Sequence, residues 1–169
     1  LVVRANNRPD GISTKMYETF IAEAQTVEGL NVSTFDVFEE NLAYFGQELF
    51  NAFGKLQNGE ALTAAEQASF DSMNKARAAL DAAEVVVFAF PLWNQTIPAA
   101  LQSFIDYTYG AGYSFKYNEQ GQLVSLMTDK KFIVLNARGG NYSNPAMSSM
   151  EMAVNYINNV IGGVYGMEK

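Results

Sequence analysis

Three short segments of this chain carry residue types that bind ligands rather than build a core. The first is Asn6-Asn7-Arg8-Pro9-Asp10-Gly11-Ile12-Ser13, followed by Thr14. Ser13 or Thr14 reads as a helix cap, and a helix start offers free backbone N–H groups and the positive end of the helix dipole, a place for an anion. The second is Pro91-Leu92-Trp93-Asn94-Gln95. Leu92 and Trp93 supply an apolar wall, and Asn94 supplies both a donor and an acceptor. The third is Asn136-Ala137-Arg138-Gly139-Gly140. Two glycines let backbone approach a flat ligand with no Cβ in the way. Each segment alone has a plainer reading, as a helix cap, a packing tryptophan and a turn. Their value depends on whether the fold brings them to one place.

The elements around them are legible. Leu1-Val2-Val3 reads as a strand that begins abruptly, and Pro9-Asp10-Gly11 as a turn. A helix runs from Ser13 or Thr14 to about Val27, with Met16, Phe20, Ala24 and Val27 at helical spacing. Val32–Val37 alternates as a strand does. Gln47–Lys55 is a short helix inside a long connection. Thr63-Ala-Ala-Glu66 is a capping box that opens a helix to about Ala83. Val85–Phe90, apolar throughout, is a strand buried on both faces. Thr96–Tyr109 is a helix with Pro98 in its first turn, stopped by Gly110-Ala111-Gly112. Tyr113–Leu126 is a hairpin excursion, Phe132–Asn136 another buried strand, and Ala146–Ile161 a last helix.

Strands and helices therefore alternate. Right-handed crossovers turn that order into an α/β doubly wound parallel sheet, with strand order 2-1-3-4. The first and third strands flank the switch point, so all three segments meet at one sheet edge. An anion site at one end and a flat ring with polar edges at the other describe a flavin mononucleotide.

Composition narrows the chemistry further. The chain has 169 residues, 49% hydrophobic and 17% charged, as a globular domain has. Its formal net charge is -7, with no basic run, which argues against a nucleic-acid partner. No apolar run is long enough for a membrane span, and no signal-peptide pattern is read at Leu1, so a cytoplasmic location is expected. There is no Cys and no His, which excludes Ser-His-Asp and Cys-His catalysis, thiol redox chemistry and His/Cys zinc sites. Asp36, Glu39 and Glu40 show no metal-ligand pattern and read as solvated or capping, so no metal is expected. Neither the dinucleotide nor the nucleoside-triphosphate glycine fingerprint is present. Redox chemistry carried by a cofactor stays open.

Five blocks in order, Ala5-Asn-Asn-Arg-Pro9, Phe90-Pro-Leu-Trp-Asn94, Phe104-Ile-Asp-Tyr107, Phe115-Lys-Tyr117 and Asn136-Ala-Arg-Gly-Gly140, resemble the FMN-dependent NADH-azoreductases, which are flavodoxin-like quinone and azo-dye reductases. The resemblance covers nearly the whole chain. It implies FMN as cofactor, NADH or NADPH as reductant, and ping-pong hydride transfer through flavin N5 to a quinone or azo compound, with the flavin rather than a side chain carrying the chemistry. By position, Asn6, Gly11, Ile12 and Ser13 would hold the phosphate. Pro91, Leu92, Trp93, Asn94 and Gln95 would line the isoalloxazine ring. Asn136, Ala137, Arg138, Gly139 and Gly140 would meet its pyrimidine side. With no His, the second-half proton would come from water or a Tyr. The family implies a homodimer, with Tyr44, Phe45, Phe50 or Phe53 of the partner over the flavin. It also implies a fifth strand and a final helix, so residues 1–169 read as one flavodoxin-like domain incomplete at both ends. The alternative of another class is a flavodoxin-like electron carrier with no substrate of its own.

Overall fold

The computed structural model describes residues 1–169. In chain order the elements are β1 (Val2–Arg4), α1 (Ile12–Ala24), β2 (Thr34–Asp36), α2 (Gln47–Gln57), α3 (Ala64–Asp81), β3 (Val85–Pro91), α4 (Ala99–Thr108), β4 (Phe115–Tyr117), β5 (Leu123–Ser125), β6 (Lys131–Ala137), α5 (Pro145–Ser148) and α6 (Val154–Ile157), the last continuing into a π-helical stretch, Asn158–Val164. Four strands form a parallel sheet in the order β2-β1-β3-β6, and β4 and β5 pair antiparallel apart from it. With β6 as the fourth parallel strand, this is the order expected from the alternation of strands and helices.

The run Val85–Pro91 takes the middle of the sheet because every residue after Val85 is buried. Its side chains alternate between two cores, as a strand's must. Val86, Phe88 and Phe90 join a large cluster with Met73 and Leu80 of α3, Phe104 and Tyr107 of α4, and Ile157 of α6. Val87 and Ala89 face the other way, onto Tyr17, Phe20 and Ile21 of α1. The middle of the sheet is thus covered on both sides, whereas β6, expected buried, is only partly so, with Ile133 exposed. At the outer side of β6, the Phe132 N–H donates to the Glu168 carbonyl at 2.8 Å.

The capping box is present. Thr63 Oγ1 accepts from the Glu66 N–H at 3.3 Å, and Glu66 Oε2 accepts from the Thr63 N–H at 2.7 Å. Several expected boundaries move. Neither Ser13 nor Thr14 caps α1; its N-cap is Gly11, and both hydroxyls sit buried within the first turn. The helix ends at Ala24, leaving Val27 exposed. Pro98 is the N-cap of α4 rather than a residue of its first turn. The second strand is confined to Thr34–Asp36. Of the two readings of Asp36, solvated or capping, the structure has the second: it is buried, accepts from the Phe38 N–H two residues on, and also pairs with Arg4 at 3.0 Å.

The largest departure is the last helix, expected as one piece over 146–161. It is interrupted at Ser149–Ala153. The buried Glu151 carboxylate accepts from the N–H groups of Ala153, Val154 and Asn155, and so begins a new helix where the old one would have continued. The Met152 N–H leaves the helical path altogether and donates to the Gln95 carbonyl at 2.9 Å. No helix is long and apolar enough to cross a membrane.

Candidate functional site

The first strand hands the chain to α1 through a loop that folds back over the helix start. Asn6 is buried, and its Nδ2 donates to the equally buried Ser13 Oγ at 2.8 Å. Thr14 Oγ1 donates to the Arg8 carbonyl at 2.8 Å, and the Arg8 N–H donates to Asn6 Oδ1 at 3.0 Å. The two hydroxyls that looked like caps are spent on holding this loop. No side chain caps the first turn of α1, so its leading N–H groups and dipole end stay available to an anion. Gly11 has an ordinary φ of -67°. It is glycine because a Cβ there would run into the Asn6 amide nitrogen and lie 3.2 Å from the Arg8 carbonyl oxygen.

The second loop leaves β3 at Pro91. Its Leu92 N–H donates to the Ala137 carbonyl at 2.8 Å, so the loop starts bound to the end of β6. Trp93 and Thr96 exchange both backbone hydrogen bonds, at 3.1 and 3.0 Å, around Asn94 and Gln95. Those two have φ of 51° and 72°. Positive φ at both central residues is a type I′ turn, which glycine and asparagine accept readily and glutamine does not. A conformation of this kind costs about 1–3 kcal/mol at a non-glycine residue and persists only where the surroundings hold it. Here the surroundings are the Met152 N–H on the Gln95 carbonyl and the Phe38 ring, 6.4 Å from Trp93.

The third loop leaves β6. Asn136 Nδ2 donates to the Phe90 carbonyl at 3.1 Å, while Asn136 Oδ1 is buried with no partner. A buried acceptor left without a donor is costly unless a ligand fills the role. Arg138 lies 3.9 Å from the buried Glu151 carboxylate and 5.8 Å from the Tyr142 ring.

These three loops enclose one crevice of about 460 Å³. Of the residues expected at the site, Asn6, Gly11, Ile12, Ser13, Pro91, Leu92, Trp93, Asn136, Ala137, Arg138 and Gly139 line it. Three do not. Asn94 faces an adjoining cavity of about 640 Å³ that shares Trp93 as a wall and includes Phe38 and Tyr44. Gln95 acts through its carbonyl, on Met152. Gly140 packs toward Tyr142, whose ring would lie 3.1 Å from an added Cβ. Neither Gly139 nor Gly140 has positive φ, so a left-handed turn is not what calls for glycine here. Arg8 and Met16 also line the crevice and were not expected to. Met16 stands four residues after Ile12, on the same helix face, which is the signal that places it here. No tyrosine lines the crevice. Burial pushes the phenols of Tyr113, Tyr156 and Tyr165 up, which makes them poorer proton donors still. No cluster of three potential metal ligands exists.

The family model that matches this chain describes a flavodoxin-like fold and spans residues 1–169. Among curated relatives, the FMN-dependent NADH:quinone oxidoreductase of Brevibacillus brevis is 44% identical over 165 residues, covering 96% of this chain and 79% of that protein. The crystal structure of an azoreductase from Bacillus anthracis superposes with a TM-score of 0.87 at 40% identity, over 99% of this chain and 82% of the other. A second B. anthracis structure, an FMN-dependent NADH-azoreductase in complex with FMN, shares the fold with a TM-score of 0.87 at 23% identity, over 99% of this chain and 81% of that one.

Proposed function

The chain belongs to the flavodoxin-like family of FMN-dependent NADH:quinone oxidoreductases and azoreductases, and from that membership we propose that it reduces quinones and azo compounds with NADH, using FMN held in the three-loop crevice. The observation that carries the assignment of the site is the convergence of three strand-end loops on the uncapped start of α1. When bound, FMN supplies the redox chemistry, accepting two electrons from the nicotinamide and delivering them to the acceptor.

The residues present suit that group. A phosphate would take the free N–H groups of α1, with the Asn6–Ser13 pair fixing the loop around it. The crevice volume falls within the ~300–1,000 Å³ of small-molecule sites. Asn136 Oδ1, an acceptor with no donor, would meet an N–H on the polar edge of a ring. Leu92 and Trp93 would cover an apolar ring face and keep water from it. Gly139 leaves open space where a side chain would stand. Protons for the acceptor would come from solvent or from Tyr44 in the adjoining cavity, since neither His nor Tyr lines the crevice itself. Heat-denatured protein should release FMN, in about a one-to-one ratio with chain. Release of FAD, or of no flavin after reconstitution with FMN, would contradict the proposal.

Trp93 stands between the crevice and the adjoining cavity, so we assign it to the acceptor side of the wall as well. Trp93→Ala should lower kcat/KM for bulky acceptors more than it lowers FMN retention. Unchanged relative rates across a panel of quinones of increasing size would count against this.

The working unit is a homodimer. Its support is an aromatic face on and before α2, where Tyr44 is 84% exposed and Phe50 56%. Phe45, Phe53 and Leu56 extend the same patch, beside the cavity that shares Trp93. A monomer would leave this face in water. Sedimentation should find a dimer at assay concentration, and an active monomer would refute it. A cytoplasmic location remains part of the proposal, as the absence of cysteine allows.

A further inference from the structure

Glu151 is a buried carboxylate that none of the steps above uses. Its Oε1 accepts from the N–H groups of Ala153 at 3.2 Å and Val154 at 2.8 Å, and its Oε2 from that of Asn155 at 3.2 Å. Its own carbonyl accepts from Asn155 Nδ2 at 2.8 Å. Read alone, this is a helix cap. Two further contacts reach into the crevice. Glu151 Oε1 lies 3.9 Å from the guanidinium of Arg138, and Arg138 lines the crevice. The next residue, Met152, donates its N–H to the Gln95 carbonyl and so holds the positive-φ turn that carries Trp93.

We propose that Glu151 is a positioning residue for the cofactor crevice, setting Arg138 at one wall and the Trp93–Thr96 turn at the other from a single buried point. The geometry explains why the last helix is broken. A continuous helix over 146–161 would draw the Met152 N–H into its own ladder and leave the Gln95 carbonyl, and the turn above it, without a tether. The charge of Glu151 serves both ends. It attracts three backbone N–H groups, which fixes where the new helix starts and hence where Met152 points. It also opposes the charge of Arg138 at 3.9 Å; the carboxylate is buried while the guanidinium is 41% exposed, so solvent weakens this attraction and its main effect is on where Arg138 points.

The inference rests on reading the crevice as the FMN site, and the test separates the two. Trp93 is the only tryptophan in the chain, so its emission reports the turn in the absence of any flavin. Glu151→Ala should shift Trp93 emission of the apoprotein to the red, raise its quenching by acrylamide, and raise the FMN Kd about tenfold, the loss of one charge-assisted hydrogen-bond set. Thr63→Ala, which removes the cap of α3 and lines neither the crevice nor the adjoining cavity, should lower Tm without moving either readout. If Glu151→Ala does not fold, Glu151→Gln keeps the shape and removes the charge, and should shift both readouts in the same direction. Parent-like Trp93 emission together with an FMN Kd within twofold of the parent, in whichever folded variant is measured, would overturn the proposal. A parent that leaves FMN free would remove the cofactor reading instead, and Trp93 emission would still decide the tether.

Discussion

Gly11→Val should yield a folded protein that purifies without flavin. Gly11 has no unusual φ, so a side chain there adds no backbone strain. What it adds is a collision with the Asn6 amide, which is buried and already bonded to Ser13. Neither neighbour can yield freely. The Arg8 carbonyl on the other side is backbone, 3.2 Å away, and is fixed by Thr14. Overpacking of this kind costs about 1–3 kcal/mol. The clash is present with or without ligand, so its expected effect on binding is to displace the loop over α1 where the phosphate is assigned, and the displaced loop should hold FMN roughly 10–100-fold more weakly. Circular dichroism should stay close to the parent, because the clash falls at the N-cap of α1 and leaves the rest of the helix and the sheet untouched. FMN titration of the apoprotein is the measurement. Parent affinity in a folded Gly11→Val protein would show that the loop is not the phosphate site.

Gly139→Val tests the opposite wall, and it separates blocking from damage. A Cβ at Gly139 meets nothing within 4 Å, so the substitution should leave the fold intact. The same open space is what a flat ring would occupy. The expected result is normal folding with FMN affinity reduced about tenfold or more, a loss of at least ~1.4 kcal/mol. Gly140→Val makes the contrast. Its Cβ would press on the Tyr142 ring, which lies 5.8 Å from the Arg138 guanidinium, so its first effect is on the loop rather than on the crevice. If Gly139→Val binds FMN as the parent does while Gly140→Val does not, the pyrimidine side has been placed one residue too early.

Much of this was legible from local patterns. The run Val85–Phe90 could only be a strand buried on both faces, and the alternation around it left one reasonable strand order. Thr63 and Glu66 stand at the spacing of a reciprocal cap, and they form one. The sites of misreading share a cause: a side chain that bonds at long range instead of to its neighbours. Ser13 looks like a cap, but its hydroxyl is taken by Asn6, seven residues earlier. The solvated reading of Asp36 fails because Arg4 arrives from the adjacent strand. The helix expected over 146–161 breaks where Glu151 caps the N–H groups of Ala153, Val154 and Asn155, and the Met152 N–H turns back to Gln95, far earlier in the chain. The positive φ of Gln95 has no sequence signal at all, since glutamine is not a residue that invites it. Glu151 was invisible for the same reason: its spacing to Arg138 means nothing until the loop folds back.

The central claim, that this chain is a self-sufficient FMN-dependent NADH:quinone oxidoreductase, is tested most directly by turnover with a single protein. Purified, FMN-loaded protein is mixed anaerobically with NADH and a naphthoquinone, and NADH absorbance is followed with no other protein present. Steady oxidation of NADH is expected, many equivalents per flavin, ending when the quinone is exhausted. Protein that binds FMN yet leaves NADH unoxidised until a second protein is added would contradict it, and would make the chain an electron carrier.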